Sequence, residues 1–147
     1  MAKTGFETLS VSMVPMRLLT FQAPVEDVER IMAAVIAITP LTMGAYDSNA
    51  YQSAPGTERY RPLEGAAAGA ESKLRQRPGV VEVCFELPDV QEITERVIEA
   101  IFQAHSYQEP VIRLQTILSS RSKGLDDSKN PNRWWNSTGD WKKAAST

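Results

Sequence analysis

Two hydrophobic spacings alternate along this chain. Val80 to Leu87 sets Val81, Val83, Phe85 and Leu87 on one side and Glu82 and Glu86 on the other, the period of a strand covered on one face. Met16 to Gln22 predicts a first strand, stopped by Pro24, and Val111 to Leu118 predicts a last one. Residues 42–53 are expected to form another, with Gly44 and Ala45 leaving room for close approach. Glu58 to Pro62 resumes extended chain after the Pro55-Gly56 turn. Val25, Val28, Ile31, Met32, Val35 and Ile36 recur instead at helical spacing. Pro24 suits the start of that helix, Glu26 and Asp27 complement its dipole, and Pro40 prevents its continuation. A second helix follows Leu87. Asp89 and Glu92 have the spacing of a capping box, and Val90, Ile93, Val97 and Ile101 form an apolar stripe.

The order is therefore β-α-β-β-α-β. Two helices on one face of a four-stranded antiparallel sheet make a ferredoxin-like sandwich of the α+β class. The other sheet face stays uncovered, and a subunit of this kind hides it by oligomerising. Either Met16, Leu18 and Thr20 or Leu19 and Phe21 lie on that face; alternation alone does not choose between them. Cys84 falls on the side of Glu82 and Glu86, at the prospective interface.

Charge divides the chain. Residues 1–118 carry 10 basic and 15 acidic side chains, whereas residues 119–147 carry six basic and three acidic. The polar stretch Ser119 to Gly124 marks the change. We expect an N-terminal extension over 1–15, a folded domain over 16–118 and a Trp-rich basic tail over 119–147. A net charge of −2 argues against general nucleic-acid binding. One cysteine excludes an internal disulfide framework, and one histidine excludes a site that needs two imidazoles from the same chain. Residues 1–15 lack the apolar centre of a secretory signal, and the longest apolar run, Ile31 to Ile38, is far below the roughly 20 residues that span a bilayer. A cytoplasmic protein without a membrane span is expected.

Several groups are candidates for chemistry. Arg59 and Arg61 flank Tyr60 beside Glu64; forked guanidinium donors suit phosphate or carboxylate, or they pair with nearby acids. Tyr46 and Asp47 are expected to join them, because the preceding strand should pair with this one. The stretch Gly65 to Gly69 either wraps an anion with backbone N–H groups or acts as a hinge, and Lys73, Arg75 and Arg77 give the loop 64–79 a basic end. His105, Tyr107 and Glu109 follow the second helix. Together they suit a cation or polar ligand, with His105 and Glu109 as the metal candidates; alternatively His105 caps helix carbonyls and Tyr107 packs. The tail holds Trp134, Trp135 and Trp141, interleaved with Arg133, Lys142 and Lys143, a composition suited to docking on a partner or on the chain's own body. There is no Walker loop and no Gly-x-Ser-x-Gly elbow, and no catalytic constellation emerges.

Three of these segments, in order, resemble one family. They are Gly44-Ala45-Tyr46-Asp47-Ser48, Glu58-Arg59-Tyr60-Arg61-Pro62-Leu63-Glu64-Gly65-Ala66 and Ala104-His105-Ser106-Tyr107-Gln108-Glu109-Pro110. They are similar to Gly-x-Tyr-Asp, Gly-Arg-Phe-x-Pro-Leu-Glu-Gly-Ala and Ala-His-Pro-Tyr-Glu-Glu-Pro in the insertion domain of the Nif-three (YqfO-type) family. Residues 16–118 carry the match. That domain resembles the PII signalling and CutA cation-tolerance proteins in fold, which implies a homotrimer with ligand sites at subunit clefts. The family's two-metal site lies in flanking halves that are absent from this sequence, so metal-dependent hydrolysis is not implied. Asn49 stands where the family commonly has Cys, and Ala66-Ala67-Ala68 replaces its Ala-Asn-Pro.

The function the resemblance implies is a non-enzymatic PII/CutA-like sensor or adaptor. It would bind a small anionic or nucleotide-like ligand through Tyr46, Asp47, Arg59, Arg61, Glu64, Gly65, His105, Tyr107 and Glu109, and engage a protein partner through the loop 64–79 or the tail 124–147. A divalent-cation-binding CutA-like protein and a structural component of a larger complex are the alternatives. A nucleotide and a divalent cation are the cofactor candidates, and the sequence names neither.

Overall fold

Register between two long strands decides which sheet face the helices cover. The computed structural model describes residues 4–124 and 129–136. Its strands are β1 (Phe6–Glu7), β2 (Val11–Pro24), β3 (Tyr51–Gln52), β4 (Gly56–Tyr60), β5 (Arg75–Pro88) and β6 (Ile112–Ser122), and its helices are α1 (Val28–Ile36) and α2 (Gln91–Ala104). All pairings are antiparallel: β2 lies between β5 and β6, while β3 and β4 pair with the far edge of β5. This is the ferredoxin-like order expected from the sequence.

Leu19 is paired with Phe85 and Phe21 with Val83, and all four are buried. They meet Val28, Ile31 and Val35 of α1 and Val97 and Ile101 of α2 in one apolar cluster. Burying side chains of this size is worth about 1.5–3 kcal/mol each. The alternate positions Leu18, Thr20 and Gln22 therefore point to the uncovered face, opposite Glu86, Cys84 and Glu82.

The first and last long strands exceed their expected lengths. β2 begins at Val11, inside the segment read as an extension, and β6 runs on to Ser122, inside the segment read as tail. Their ends support each other through the pairing Val11–Ser122, and Lys123 Nζ donates to the Thr8 carbonyl at 2.7 Å. β1 adds a short strand that no pattern announced, paired with Met13 and Ser12. Gly5 permits it: a Cβ there would fall 2.4 Å from the Met13 carbonyl oxygen.

The strand expected over 42–53 shrinks to Tyr51–Gln52, because residues 40–49 close a loop on themselves. Within it, Met43 and Tyr46 exchange backbone hydrogen bonds, and the Ser48 N–H donates to the Pro40 carbonyl at 2.8 Å. β5 starts at Arg75, five residues before the expected Val80, so the loop read as 64–79 spans 61–74. A register shift between Gly56 and Glu58 lies opposite Pro78-Gly79, and Gly79 adopts φ +73° there. An extra residue with positive φ and a proline without N–H are what a bulge accommodates.

The capping box does not form. Asp89 instead accepts from Arg17 Nε at 2.9 Å, and the helix N-cap is Val90, without a side-chain cap bond. The bond to Arg17 joins two full charges, whereas a cap bond to a backbone N–H would join only one. Val90 is correspondingly exposed, and Thr94 takes the buried place expected of it. No helix among the described residues is long and apolar enough to cross a membrane.

Candidate functional site

The segment after α2 is a row of anchors. His105 leaves the helix in extended conformation and is buried. Its Nδ1 accepts the Tyr107 N–H at 3.0 Å, which places the ring proton on Nε2, 2.7 Å from the Gln22 carbonyl oxygen. Both ring nitrogens are thus engaged by backbone, and the imidazole offers no lone pair to a cation in this state. Ser106 donates to Asp27 through its hydroxyl at 2.5 Å and its N–H at 3.1 Å, and Arg30 pairs with the same carboxylate at 2.8 Å. Burial pushes the Asp27 carboxyl up, but the bonds from Ser106 and Arg30 together outweigh it and hold the group below its ordinary value.

Tyr107 and Gln108 reach the β4–β5 hairpin. The Tyr107 hydroxyl is buried without a formed hydrogen bond among the described residues, and burial together with the nearby Glu58 carboxylate pushes the phenol well above its usual range. Gln108 brackets a turn, accepting from Ala67 N–H at 2.9 Å and donating to the Gly65 carbonyl at 3.2 Å. Two of the three family-like segments therefore touch through one amide side chain. Glu109 is exposed.

The hairpin sorts its arginines by face. Arg77 lies opposite Glu58 and Arg75 opposite Tyr60. Arg77 donates to Glu26 at 2.6 Å, and Arg75 grips Glu71 with two bonds at 2.5 and 2.6 Å. Of the basic loop end expected from Lys73, Arg75 and Arg77, the two arginines are thus paired with acids outside β5, Glu71 before the strand and Glu26 before α1. Arg59, opposite Gln76, faces the other way, and Arg61 follows the end of β4. Neither makes an ion pair or hydrogen bond among the described residues, and both are exposed, as is Glu64.

Tyr46 and Asp47 do not join them. Their turn is held by Asn49 Nδ2, which donates to the carbonyls of Leu41 at 2.9 Å and Tyr46 at 3.1 Å. Tyr51 just beyond pairs with Cys84, whereas Arg59 is opposite Gln76. Those two positions on β5 are roughly 25 Å apart at about 3.3 Å per residue.

The uncovered sheet face carries more structure than the sequence suggested. Thr20, Tyr51, Cys84, Arg113 and Gln115 border a broad concavity of about 700 Å³. Toward the other end, Glu86 accepts from Arg121 at 2.9 Å and from the Ser119 hydroxyl at 2.6 Å, and both ion-pair partners are four-fifths buried. Glu86 was visible in the strand alternation; Arg121 was hidden because its segment read as tail. In the described part of the tail, Trp134 and Trp135 stack edge to face at 5.8 Å and remain partly exposed. Trp141 lies outside the described residues.

No family model matches the sequence, and no curated protein matches it. Solved structures do share the fold. A Bacillus cereus protein related to NIF3 superposes with a TM-score of 0.60 at 21% identity, over 78% of this chain and 28% of that one. The divalent ion tolerance protein CutA1 of Ehrlichia chaffeensis gives a TM-score of 0.49 at 16% identity, over 78% of this chain and 87% of that one. CPII of Thiomonas intermedia K12, a nitrogen regulatory PII-like protein, gives 0.43 at 15%, over 76% and 98%. The chain thus spans 28% of the length of the NIF3-related protein. At 21% identity the likeness to the NIF3-related protein is one of fold, and it agrees with the resemblance carried by the sequence motifs.

Proposed function

We propose that this chain is a non-enzymatic ligand-binding subunit that associates as a homotrimer through its uncovered sheet face, with a small anionic or nucleotide-like ligand held at the cleft between copies by Arg59 and Arg61. The observation that carries the reading is the sheet face itself. Leu18, Thr20, Cys84 and Ile117 are half-buried there with no helix above them. Covering such positions removes apolar area from water, at about 25 cal/mol per Å². The free guanidinium groups of Arg59 and Arg61 supply the anion preference.

The cation-binding alternative is less well supported, because His105 is held by backbone at both nitrogens. Among the described residues no group of three or more His, Cys, Asp or Glu converges on one point. Engagement of a protein partner would fall to the loop 61–74 or to Trp134 and Trp135.

Sedimentation velocity over a range of concentrations tests the assembly. A trimer that Leu18→Glu converts to folded monomer supports the reading; a wild-type monomer at every concentration removes it. Calorimetric titration with ATP and ADP then tests the ligand, with Arg59→Ala and Arg61→Ala expected to weaken binding.

A further inference from the structure

The loop 40–49 and the sheet enclose a pocket of about 250 Å³ that the anion reading does not use. Its lining is mixed. Leu18, Leu41 and Met43 give it apolar lining, and Arg121 and Glu86, the direct cross-strand neighbour of Leu18, give it charged lining. Asn49 and Tyr51 border it as well. The pocket lies below the roughly 300–1,000 Å³ typical of drug-sized ligands. A nucleotide is too large for it.

The charged lining selects its occupant. Glu86 and Arg121 are paired at 2.9 Å and four-fifths shielded from water, so they form a neutral couple with one pole of each sign. A lone anion would gain from Arg121 and lose to Glu86, and a lone cation the reverse. A small molecule with both an ammonium and a carboxylate gains from both poles. Capacity remains for it. Arg121 spends Nη1 on Ser119 and Ser120 and Nη2 on Glu86, and its Nε makes no bond among the described residues. Each Glu86 oxygen accepts a single bond, leaving lone pairs for an ammonium.

The apolar lining is held in place at a conformational cost. Leu41 is buried at φ +54°, a left-handed conformation unfavourable for a branched side chain. It is kept there by Asn49, whose Nδ2 and backbone N–H both donate to the Leu41 carbonyl, at 2.9 and 3.2 Å. Backbone strain of this kind persists where the surroundings over-determine it and gathers at ligand clamps.

We infer that this pocket binds a free α-amino acid with an apolar side chain, its ammonium on Glu86, its carboxylate on Arg121 and its side chain against Leu18, Leu41 and Met43. Every contact comes from one copy and none from Arg59 or Arg61, but Leu18 and Glu86 lie on the face proposed to associate, so leucine binding and association compete for that surface.

The test is a titration of the uniformly ¹⁵N-labelled full chain with L-leucine, L-methionine, leucinamide and 4-methylpentanoate, followed by amide chemical shifts. Saturable shifts at Asn49, Ala50, Cys84 and Arg121 with the two amino acids are expected. Leucinamide lacks the carboxylate and 4-methylpentanoate the ammonium, and both should bind about tenfold or more weakly, the loss of one charge-assisted bond. Glu86→Gln should weaken leucine binding similarly. Because that variant disturbs a shielded ion pair, Ala50→Trp at an exposed lining position serves as a second block; it retains the fold by its amide spectrum and loses the leucine response. Absence of saturable shifts with either amino acid, or equal binding of leucinamide or 4-methylpentanoate, overturns the inference. Sedimentation of the same samples reads association separately.

Discussion

Asp27 and Ser106, distant in sequence, form a two-point contact: the Ser106 hydroxyl and backbone N–H both donate to one carboxylate oxygen of Asp27, at 2.5 and 3.1 Å. The carboxylate sits at the entry to α1, and Ser106 sits just beyond the exit from α2. The two helices are tied where they meet the sheet. Arg30 completes the site through Nη2 on Asp27 and Nε on the Ala104 carbonyl at 2.8 Å.

Ser106→Ala should lower stability by about 1–3 kcal/mol, because it leaves a buried carboxylate short of a donor. Chemical denaturation at neutral pH measures this. An unchanged midpoint would show the contact to be dispensable.

The pH dependence follows from the depressed value of Asp27. Its ordinary value is 3.8, and the folded chain holds it lower. The stabilisation is therefore complete above the unfolded value and is lost as pH falls below it, through the folded value. Stability of the wild type should drop more steeply than that of Asp27→Asn between about pH 5 and pH 2. Parallel acid limbs for the two proteins would contradict this.

Gln108→Ala should release the turn at Gly65–Ala67 while leaving β5 intact. Hydrogen exchange is the measurement: the Ala67 amide should exchange faster, whereas Val81 and Val83 keep their protection. The stability cost should stay near about 1 kcal/mol, since the bracket is solvent-exposed and neutral.

Neighbouring leucines on β2 should respond in opposite ways. Leu19→Ala removes a fully buried side chain and should cost about 2–5 kcal/mol. Leu18→Ala, on the uncovered face, should cost far less in the monomer and act on association instead. Urea denaturation with sedimentation on both variants distinguishes the two roles.

The exposed arginines should be silent in stability. Arg59→Ala and Arg61→Ala are expected to stay within about 0.5 kcal/mol of wild type, since surface positions without partners contribute little. A larger loss would mean that these side chains support the hairpin.

The element order and helix faces were legible in the chain, because burial on one side of a strand or helix imposes a period that survives in the residues themselves. Val81, Val83, Phe85 and Leu87 show it on β5, as do Ile31 and Val35 on α1. The three motif segments also pointed to the fold found in the NIF3-related structure. What local pattern cannot carry is a choice between partners far apart in sequence. Asp89 has capping geometry in the sequence and takes Arg17 instead. His105 and Glu109 have the chemistry of ligands, yet the His105 ring is committed to Gln22 and Tyr107. Alternation in β2 permitted either face to be the open one, and only pairing with β5 under two helices assigned Leu19 and Phe21 inward. Spacing along the chain determined the elements; competition among distant donors, acceptors and apolar surfaces, resolved only when the sheet closes, determined which side chains remain free to meet a ligand.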